Sequence, residues 1–402
     1  MVNITDKKNC CGCSACVQKC PKQCILMRED TEGFLYPEVD EDICIDCGLC
    51  EKVCPELNQG EPKTPPIVYA AMAKDEILRR SSSSGGIFSL LAESVIDEGG
   101  VVFGSAFNER WEAGHTIVED KESLARLRGS KYMQSVVGNT FSQAKDFLEK
   151  GCHVLYSGTP CQIAGLKKYL GKDYENLLTV DVICHGVPSP KVWRLYLDEL
   201  LRTKCGAGKN SVHFLNEIPV IQDISFRDKA DGWKKYGILI RITDFKSAKN
   251  TVSQSVQEYR ELFTDNVFFR LFLENVILRP SCYDCPAKSG KSGSDITLGD
   301  FWGIEKLRPE FDDDKGCSLL AVNTESGREA IEKIEMEAAP MPVAEAFRYN
   351  QSYLYSPNPH VNRGFFFSKL RKNDSVINAY ESLYDEDIFA RIRRKLFRIA
   401  GI

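Results

Sequence analysis

Residues 10–21 read CCGCSACVQKCP, four cysteines spaced C-x2-C-x2-C-x3-C and followed by proline. Cys10, Cys13 and Cys16 fall on a tight loop whose thiolates suit three corners of an iron-sulfur cube, while Cys20, offset before Pro21, is set toward a second cube. Residues 44–55, CIDCGLCEKVCP, repeat the pattern with Cys44, Cys47, Cys50 and Cys54. By the bacterial two-cluster rule the last cysteine of each run serves the other cube. The expected ligand sets are therefore Cys10, Cys13, Cys16 and Cys54, then Cys20, Cys44, Cys47 and Cys50. A pair of zinc knuckles is the alternative, but zinc sites take two short cysteine pairs and not two runs of four ending in proline. Cys11 and Cys24 stand outside the pattern and read as small apolar residues, buried or half-buried.

The rest of the composition bounds the setting. The chain has 402 residues, 43% of them apolar, enough for two or three domains with full cores. A formal net charge of -5 leaves no basic excess to neutralise phosphates, which argues against a general nucleic-acid binder. No apolar run approaches membrane-spanning length, and a short polar start leads directly into cysteine ligands without a cleavable signal. Seventeen cysteines would read as disulfides in an oxidising compartment. The cluster spacings demand free thiolates instead, so the expectation is a cytoplasmic protein.

After Pro55 the stretch ELNQGEPKTPP (56–66) reads as a linker closing a small α+β ferredoxin-like domain over residues 1–60. From Ile67 onward, β-rich runs (VVFGSAF, HVLYSGT, LLTVDVIC) alternate with helical patterns (IFSLLAESVIDEGG, TFSQAKDFLEKG, CQIAGLKKYL), which predicts an α/β domain over 67–340. Residues 211–243 are more strand-rich (SVHFLN, DISFRD, YGILIRIT), so a mixed sheet with an antiparallel portion is expected. A helix is expected near 257–278, then strands at ITLGDFWG and CSLLAVNT, and residues 341–402 form a less legible C-terminal extension.

A second constellation begins with Cys282 and Cys285 in RPSCYDCPAKSG, a lone C-x2-C that fits half a zinc site, a redox dithiol or half a cluster site. In HVLYSGTPCQIAGL a strand ends, Thr159 caps the next helix, Pro160 starts it and Cys161 lies in its first turn. In LLTVDVICHGVPSP another strand ends near Cys184, before a helix capped by Ser189 and started by Pro190. If both strands are parallel in one sheet, Cys161 and Cys184 share the edge at which open α/β folds bind ligands. Two buried cysteines acting as small hydrophobes fit the spacing equally well. Cys152, Cys205 and Cys317 read as structural or exposed singles.

A third feature concerns phosphate. In SSSSGGIFSLLAESVIDEGG the helix Ile87, Leu90, Leu91, Val95 follows four serines and two glycines. Gly85 and Gly86 allow an anion to approach backbone N-H groups at the helix start, and Ser83 and Ser84 add hydroxyl donors; a plain capped helix is the alternative. RGSKYMQS offers Arg128, Lys131 and Tyr132 to a phosphate, a flavin ring or a stacking contact, or else as solvated surface. His185, next to Cys184, is a candidate proton donor or a hydrogen-bonded structural histidine.

Together SSGGIFS, GSKY, GTPCQIAGL, DVICHGVPS, FRDK, RPSCYDCPAK and SDITLGDFWGI resemble the family of coenzyme F420 hydrogenase/dehydrogenase beta subunits, which includes plant 7-hydroxymethyl chlorophyll a reductase. The resemblance runs from about residue 67 to 370. It implies an FAD-binding domain that exchanges a hydride with an organic substrate, joined to redox proteins by an iron-sulfur cluster. Motif by motif it implies a third cluster on Cys161, Cys184, Cys282 and Cys285, and flavin contacts from Ser83 to Gly86 and from Ser130, Lys131 and Tyr132. Lys131 and His185 are the implied catalytic candidates. No hydrogen-activating domain is present. CHGVPS and FRDKADGW are closer to bacterial homologues than to the archaeal hydrogenase subunit, so the substrate implied is coenzyme F420 or another small organic molecule.

The reading is an iron-sulfur flavoprotein oxidoreductase passing electrons between ferredoxin and that substrate through [4Fe-4S] clusters and FAD. The alternative is an electron-transfer subunit without a substrate of its own. The last residues, DIFARIRRKLFRIAGI, place Ile388, Ile392, Leu396 and Ile399 on one side of a basic amphipathic segment, suited to a membrane surface or a partner, or docked as a terminal helix.

Overall fold

The computed structural model describes residues 1–205, 220–248 and 251–384. The expected SVHFLN strand at 211–216 and the basic segment carrying Ile388, Ile392, Leu396 and Ile399 lie outside the described residues, as does the side chain of Cys205.

The amino-terminal head carries α1 (Ala15–Lys19), β1 (Ile25–Glu29), β2 (Leu35–Val39) and α2 (Leu49–Lys52). The two strands form an antiparallel ribbon, Ile25 opposite Val39. Both short helices follow a residue in the left-handed region, Ser14 (φ 62°) and Gly48 (φ 72°), so each cysteine loop turns sharply before its helix. The proline-rich stretch 56–66 is not a free tether. Lys63 N donates to Ser289 O at 2.9 Å, and a Cβ on Gly60 would collide with the Lys291 backbone, so the stretch runs as a strap along the body.

In the body come β3 (Ile67–Ala73), α3 (Glu76–Ser81), α4 (Ile87–Asp97), β4 (Val101–Phe107), β5 (Ala113–Val118), α5 (Thr140–Glu149), β6 (Val154–Gly158), α6 (Pro160–Leu170), β7 (Leu177–Val182) and α7 (Pro190–Cys205). There follow β8 (Val220–Asp228), β9 (Gly237–Ala248), β10 (Thr251–Leu262), α8 (Val267–Leu273), β11 (Ile296–Asp300), α9 (Ile304–Leu307), β12 (Ser318–Val322), α10 (Glu325–Glu332), β13 (Met336–Met341), α11 (Val343–Ala346), α12 (Arg363–Asn373) and α13 (Val376–Glu381).

The expected mixed α/β architecture is present. One eight-stranded sheet has the order β13-β3-β12-β11-β7-β6-β4-β5. Its centre, β4-β6-β7-β11, is parallel, and β5, β12, β3 and β13 join antiparallel. The parallel strands read as continuous apolar runs because helices cover both faces, as Val101, Val102 and Phe103 show by complete burial. The strand-rich region forms a separate three-stranded antiparallel sheet, β10-β9-β8, and does not enter the main one.

The helix expected near 257–278 is corrected at its start. Residues up to Leu262 belong to β10, which pairs with β9 along its whole length from Thr251 opposite Ala248 to Leu262 opposite Gly237. That ladder overrides the local helical pattern. The helix begins only at Val267, where the Asn266 side chain accepts from Phe269 N at 3.1 Å. Its buried Phe268, Phe269, Leu271 and Phe272 pack with Trp193 of α7 and with Phe366, Leu370 and Val376 of the carboxyl-terminal helices.

Candidate functional site

The cysteines gather in three places. In the head, Cys16 senses the charges of Cys10, Cys54 and Cys50, and Cys13 those of Cys16 and Cys10, so Cys54 lies near the first loop. Burial pushes the Cys16 thiol up to about 12. Cys20, Cys44, Cys47 and Cys50 line one recess together with Cys24 and Met1. There Val2 N donates to Cys50 Sγ at 3.2 Å and Asp46 N to Cys44 Sγ at 3.4 Å. Cys24 is buried, with its sulfur 3.4 Å from that of Cys20.

The third gathering lies at the carboxyl ends of β6 and β7. Cys161 sits in the first turn of α6, where Gln162 Oε1 accepts from Thr159 N at 3.0 Å and Thr159 Oγ1 lies 3.3 Å from Cys161 Sγ. Cys184 follows β7. Cys282 belongs to the short 3-10 turn Pro280–Asp284 and Cys285 follows it. The two loops are sewn together: Val187 N donates to Cys282 Sγ at 3.4 Å, and Arg279 N to Val187 O at 3.0 Å. A Cβ on Gly186 would lie 3.3 Å from Cys282 Cβ and closer still to the end of the Leu278 side chain, so the two loops pack closely here. Cys282 senses the charges of Cys184, Cys285 and Cys161, which brings all four thiols into one neighbourhood. Burial pushes Cys184 up to about 12 and Cys285 to about 11. Bare thiols here stay protonated, and a metal centre has to displace those protons.

Cys11 is buried as expected, but not inertly: its thiol lies beside those of Cys13 and Cys161. Cys317 is buried against Ala71 O, and Cys152 is half-buried near the Gly99 carbonyl.

The phosphate-type motifs also meet. Ser83 Oγ lies 2.9 Å from Ser130 Oγ and accepts from Ser130 N at 2.8 Å, joining the two loops. Ser84 Oγ donates to Cys317 O, and Gly85 N is taken by Ser318 Oγ at 3.0 Å. Gly86, at φ 88°, precedes α4 and gives its first turn no side-chain cap. Arg128 is engaged with Ser89 and Glu93 of α4. Lys131 Nζ donates to the carbonyls of Arg126, Arg128 and Gly129 at 2.9 to 3.1 Å, and burial pulls its pKa down to about 7. Tyr132 packs among Phe226, Phe269 and Phe272. His185 has both ring nitrogens engaged, Nε2 with Asn275 Oδ1 at 2.6 Å and Nδ1 with Ser352 Oγ at 3.4 Å, and burial lowers its pKa.

Sequence reasoning missed several buried cations, Arg227 and Arg279 among them. Arg227, of FRDK, pairs with Asp300 at 3.1 Å and lies over the Tyr236 ring, yet its Nε and Nη2 have no well-aligned hydrogen-bond acceptor. Arg279 precedes the third cysteine loop and reaches into the head. The available signal was an arginine at the end of the apolar run NVILRP, where a charge needs a reason.

Residues 9–57 match the 4Fe-4S dicluster domain. Residues 68–140 match the N-terminal part of the coenzyme F420 hydrogenase/dehydrogenase beta subunit, and residues 151–341 its C-terminal part. A subunit of the F420H2 dehydrogenase of Methanosarcina mazei is 26% identical over 165 residues, 38% of this chain and 46% of that protein. The coenzyme F420-dependent sulfite reductase of Methanocaldococcus jannaschii is 27% identical over 173 residues, 41% of this chain and 26% of that one. The chain thus spans about half the length of the first relative and a quarter of the second. A 7Fe ferredoxin of Hydrogenibacillus schlegelii is 50% identical over 42 residues, 10% of this chain and 47% of its own. A solved F420-reducing [NiFe] hydrogenase complex from Methanosarcina barkeri aligns over 82% of this chain and 94% of the matched chain at 15% identity and a TM-score of 0.43.

Proposed function

The chain belongs to the family of coenzyme F420 hydrogenase/dehydrogenase beta subunits and carries a 4Fe-4S dicluster head; from this we propose that it is an iron-sulfur flavoprotein oxidoreductase passing electrons between a ferredoxin and coenzyme F420 or another small organic substrate. The observation that carries the reading is the convergence of Cys161, Cys184, Cys282 and Cys285 on the sheet edge beside which Cys11 of the head lies. Four thiols in one buried place, with backbone N-H and Lys288 donors around them, fit a third [4Fe-4S] cluster by the chemistry of the donor set. FAD fits by a different test: an uncapped helix start at Gly86 suits its pyrophosphate, and the buried Arg227, whose Nε has no acceptor, suits an anionic ring. Bound together, flavin and clusters couple two-electron hydride chemistry to single-electron transfer.

The chain's own residues do the rest. Ser83 and Ser130 hold the two loops together, Gly86 admits close approach, and Arg227, fixed by Asp300, presents positive charge. Lys131 holds a proton on its carbonyl-ringed ammonium near neutral pH. His185, clamped between Asn275 and Ser352, orients the loop that follows Cys184. At the far end, exposed Cys47 lies beside exposed Ile43 and Ile45, a small apolar face suited to a redox protein. No helix among the described residues is long and apolar enough to cross a membrane.

Anaerobic purification with iron, sulfide and flavin analysis, then mixing with reduced coenzyme F420 and other hydride donors, tests this reading. Stoichiometric zinc, or protein free of flavin after anaerobic preparation, overturns it. A second reading, a subunit handing electrons to a separate catalytic protein, draws support from the match to part of a dehydrogenase complex. Turnover of a small molecule with ferredoxin alone rules that second reading out.

A further inference from the structure

Arg279 is completely buried, and its guanidinium reaches from the body into the head. Nε donates to Cys10 O at 2.7 Å, while Nη2 donates to Leu35 O at 2.9 Å and reaches Cys10 Sγ at 3.5 Å. Nη1 donates to Gln134 Oε1 at 2.8 Å, and Gln134 in turn donates to Cys11 O at 3.0 Å. The planar group lies over the Tyr36 ring, 4.3 Å from its centre. A Cβ on Gly12 would lie 2.8 Å from Nη1, so the cysteine loop closes on this arginine with no space to spare.

What it lacks is a carboxylate. Among the described residues none lies within ion-pair distance of Arg279, whereas the buried arginines Arg79 and Arg227 have Asp313 and Asp300. Glu56 feels the charge of Arg279 from farther off, and burial pushes that carboxyl up to about 7. A buried, unpaired guanidinium costs several kcal/mol, and hydrogen bonds to neutral carbonyls offset only part of that. The charges it senses most strongly include those of Cys10, Cys11 and Cys282. Cys10 belongs to the first head set, and Cys282 of the third set donates its backbone N-H to Arg279 O at 2.9 Å, so Arg279 stands between the two groups of cysteines.

We propose that Arg279 is the buried counter-ion shared by the first head cluster and the third cluster, a positioning residue that raises the reduction potential of the head cluster and locks head to body. The proposal rests on the cluster assignment made above. A cation and an N-H donor at a ligand sulfur both stabilise the more negative, reduced state of a cluster, and charge and hydrogen bonds to sulfur are the terms through which a protein sets such potentials. The geometry offers both on one side chain.

The test is a redox titration of the full chain, prepared anaerobically and followed by electron paramagnetic resonance. In Arg279→Gln the reduced-to-oxidised ratio of one cluster should fall at least tenfold at the potential where the parent is half reduced, about 59 mV for a one-electron couple. Arg279→Lys, which keeps charge but loses the fork, should recover most of that shift. Iron content is measured alongside. Unchanged potentials in iron-replete Arg279→Gln overturn the counter-ion role and leave the functional reading standing, whereas a parent that binds no clusters sinks the functional reading itself. If Arg279→Gln does not accumulate as folded protein, Gln134→Glu carries the test. It sets a carboxylate against Nη1 and should lower the same potential, and an unchanged potential there overturns the proposal.

Discussion

The thiol of Cys11 lies beside that of Cys161, so one small side chain of the amino-terminal head reaches the first turn of α6. A position outside the eight-cysteine pattern thereby stands between two proposed clusters. Cys11→Ala should leave iron content unchanged, cost about 1–2 kcal/mol for the lost sulfur, and slow electron passage from flavin to head several-fold. Rapid anaerobic mixing with a hydride donor, following flavin and cluster bleaching separately, checks this. An unaltered rate takes Cys11 out of that passage; loss of about four iron would make Cys11 a ligand.

Iron and sulfide should each be about twelve per chain, from three cubanes on the twelve assigned cysteines. Cys161→Ser, nearly the same size but a poorer ligand, should lower the count to about eight while keeping flavin. Hydride exchange with the flavin should survive and reduction of the head should slow severely. A parent count of about eight removes the third cluster.

Gly86→Val tests the flavin position. The residue stands at φ 88°, and a Cβ there would lie 3.2 Å from that of Ala73, so valine brings backbone strain of about 1–3 kcal/mol as well as bulk at the helix start. Flavin content should fall more than the loss of thermal stability accounts for. Full occupancy in the folded variant would move the pyrophosphate elsewhere.

Asp181 gives a pH dependence unconnected with the clusters. It is buried on β7, its Oδ2 accepts from Ser292 at 2.6 Å, its Oδ1 has no partner, and burial raises its pKa from 3.8 to about 6. The folded state binds this proton more tightly than the unfolded one, so stability falls as pH rises from about 4 through about 6. Asp181→Asn should be more stable than the parent at pH 8 by up to about 3 kcal/mol, with the difference vanishing below pH 4. Urea unfolding at both pH values measures it. Equal stabilities at pH 8 would mean that the carboxylate is solvated or paired in solution.

Cysteine spacing made the head legible because a cluster imposes its own geometry on a short loop, whatever the surroundings. The α/β body was legible because β4, β6 and β7 are apolar runs bounded by capped helices, and the caps at Thr159 and Ser189 put Cys161 and Cys184 on one edge. Long-range relations were not legible. β10 reads locally as helix, and only the twelve-residue ladder with β9 makes it a strand. Gln134, Arg227 and Arg279 have no spacing signature, because what defines them is a partner far along the chain. The stretch 56–66 has the composition of a flexible linker, and only the body's loop at Ser289 makes it a strap.

The bond between Arg279 and Cys10 spans 269 positions of the chain. During synthesis at about 5–20 residues per second, the cysteine loop leaves the ribosome roughly a quarter of a minute to a minute before its arginine exists. Throughout that interval the loop faces solvent, open to oxygen and to stray metals. The order of manufacture therefore leaves the cysteine loop without its buried cation until the carboxyl-terminal half has emerged, and a chain truncated before Arg279 never covers it.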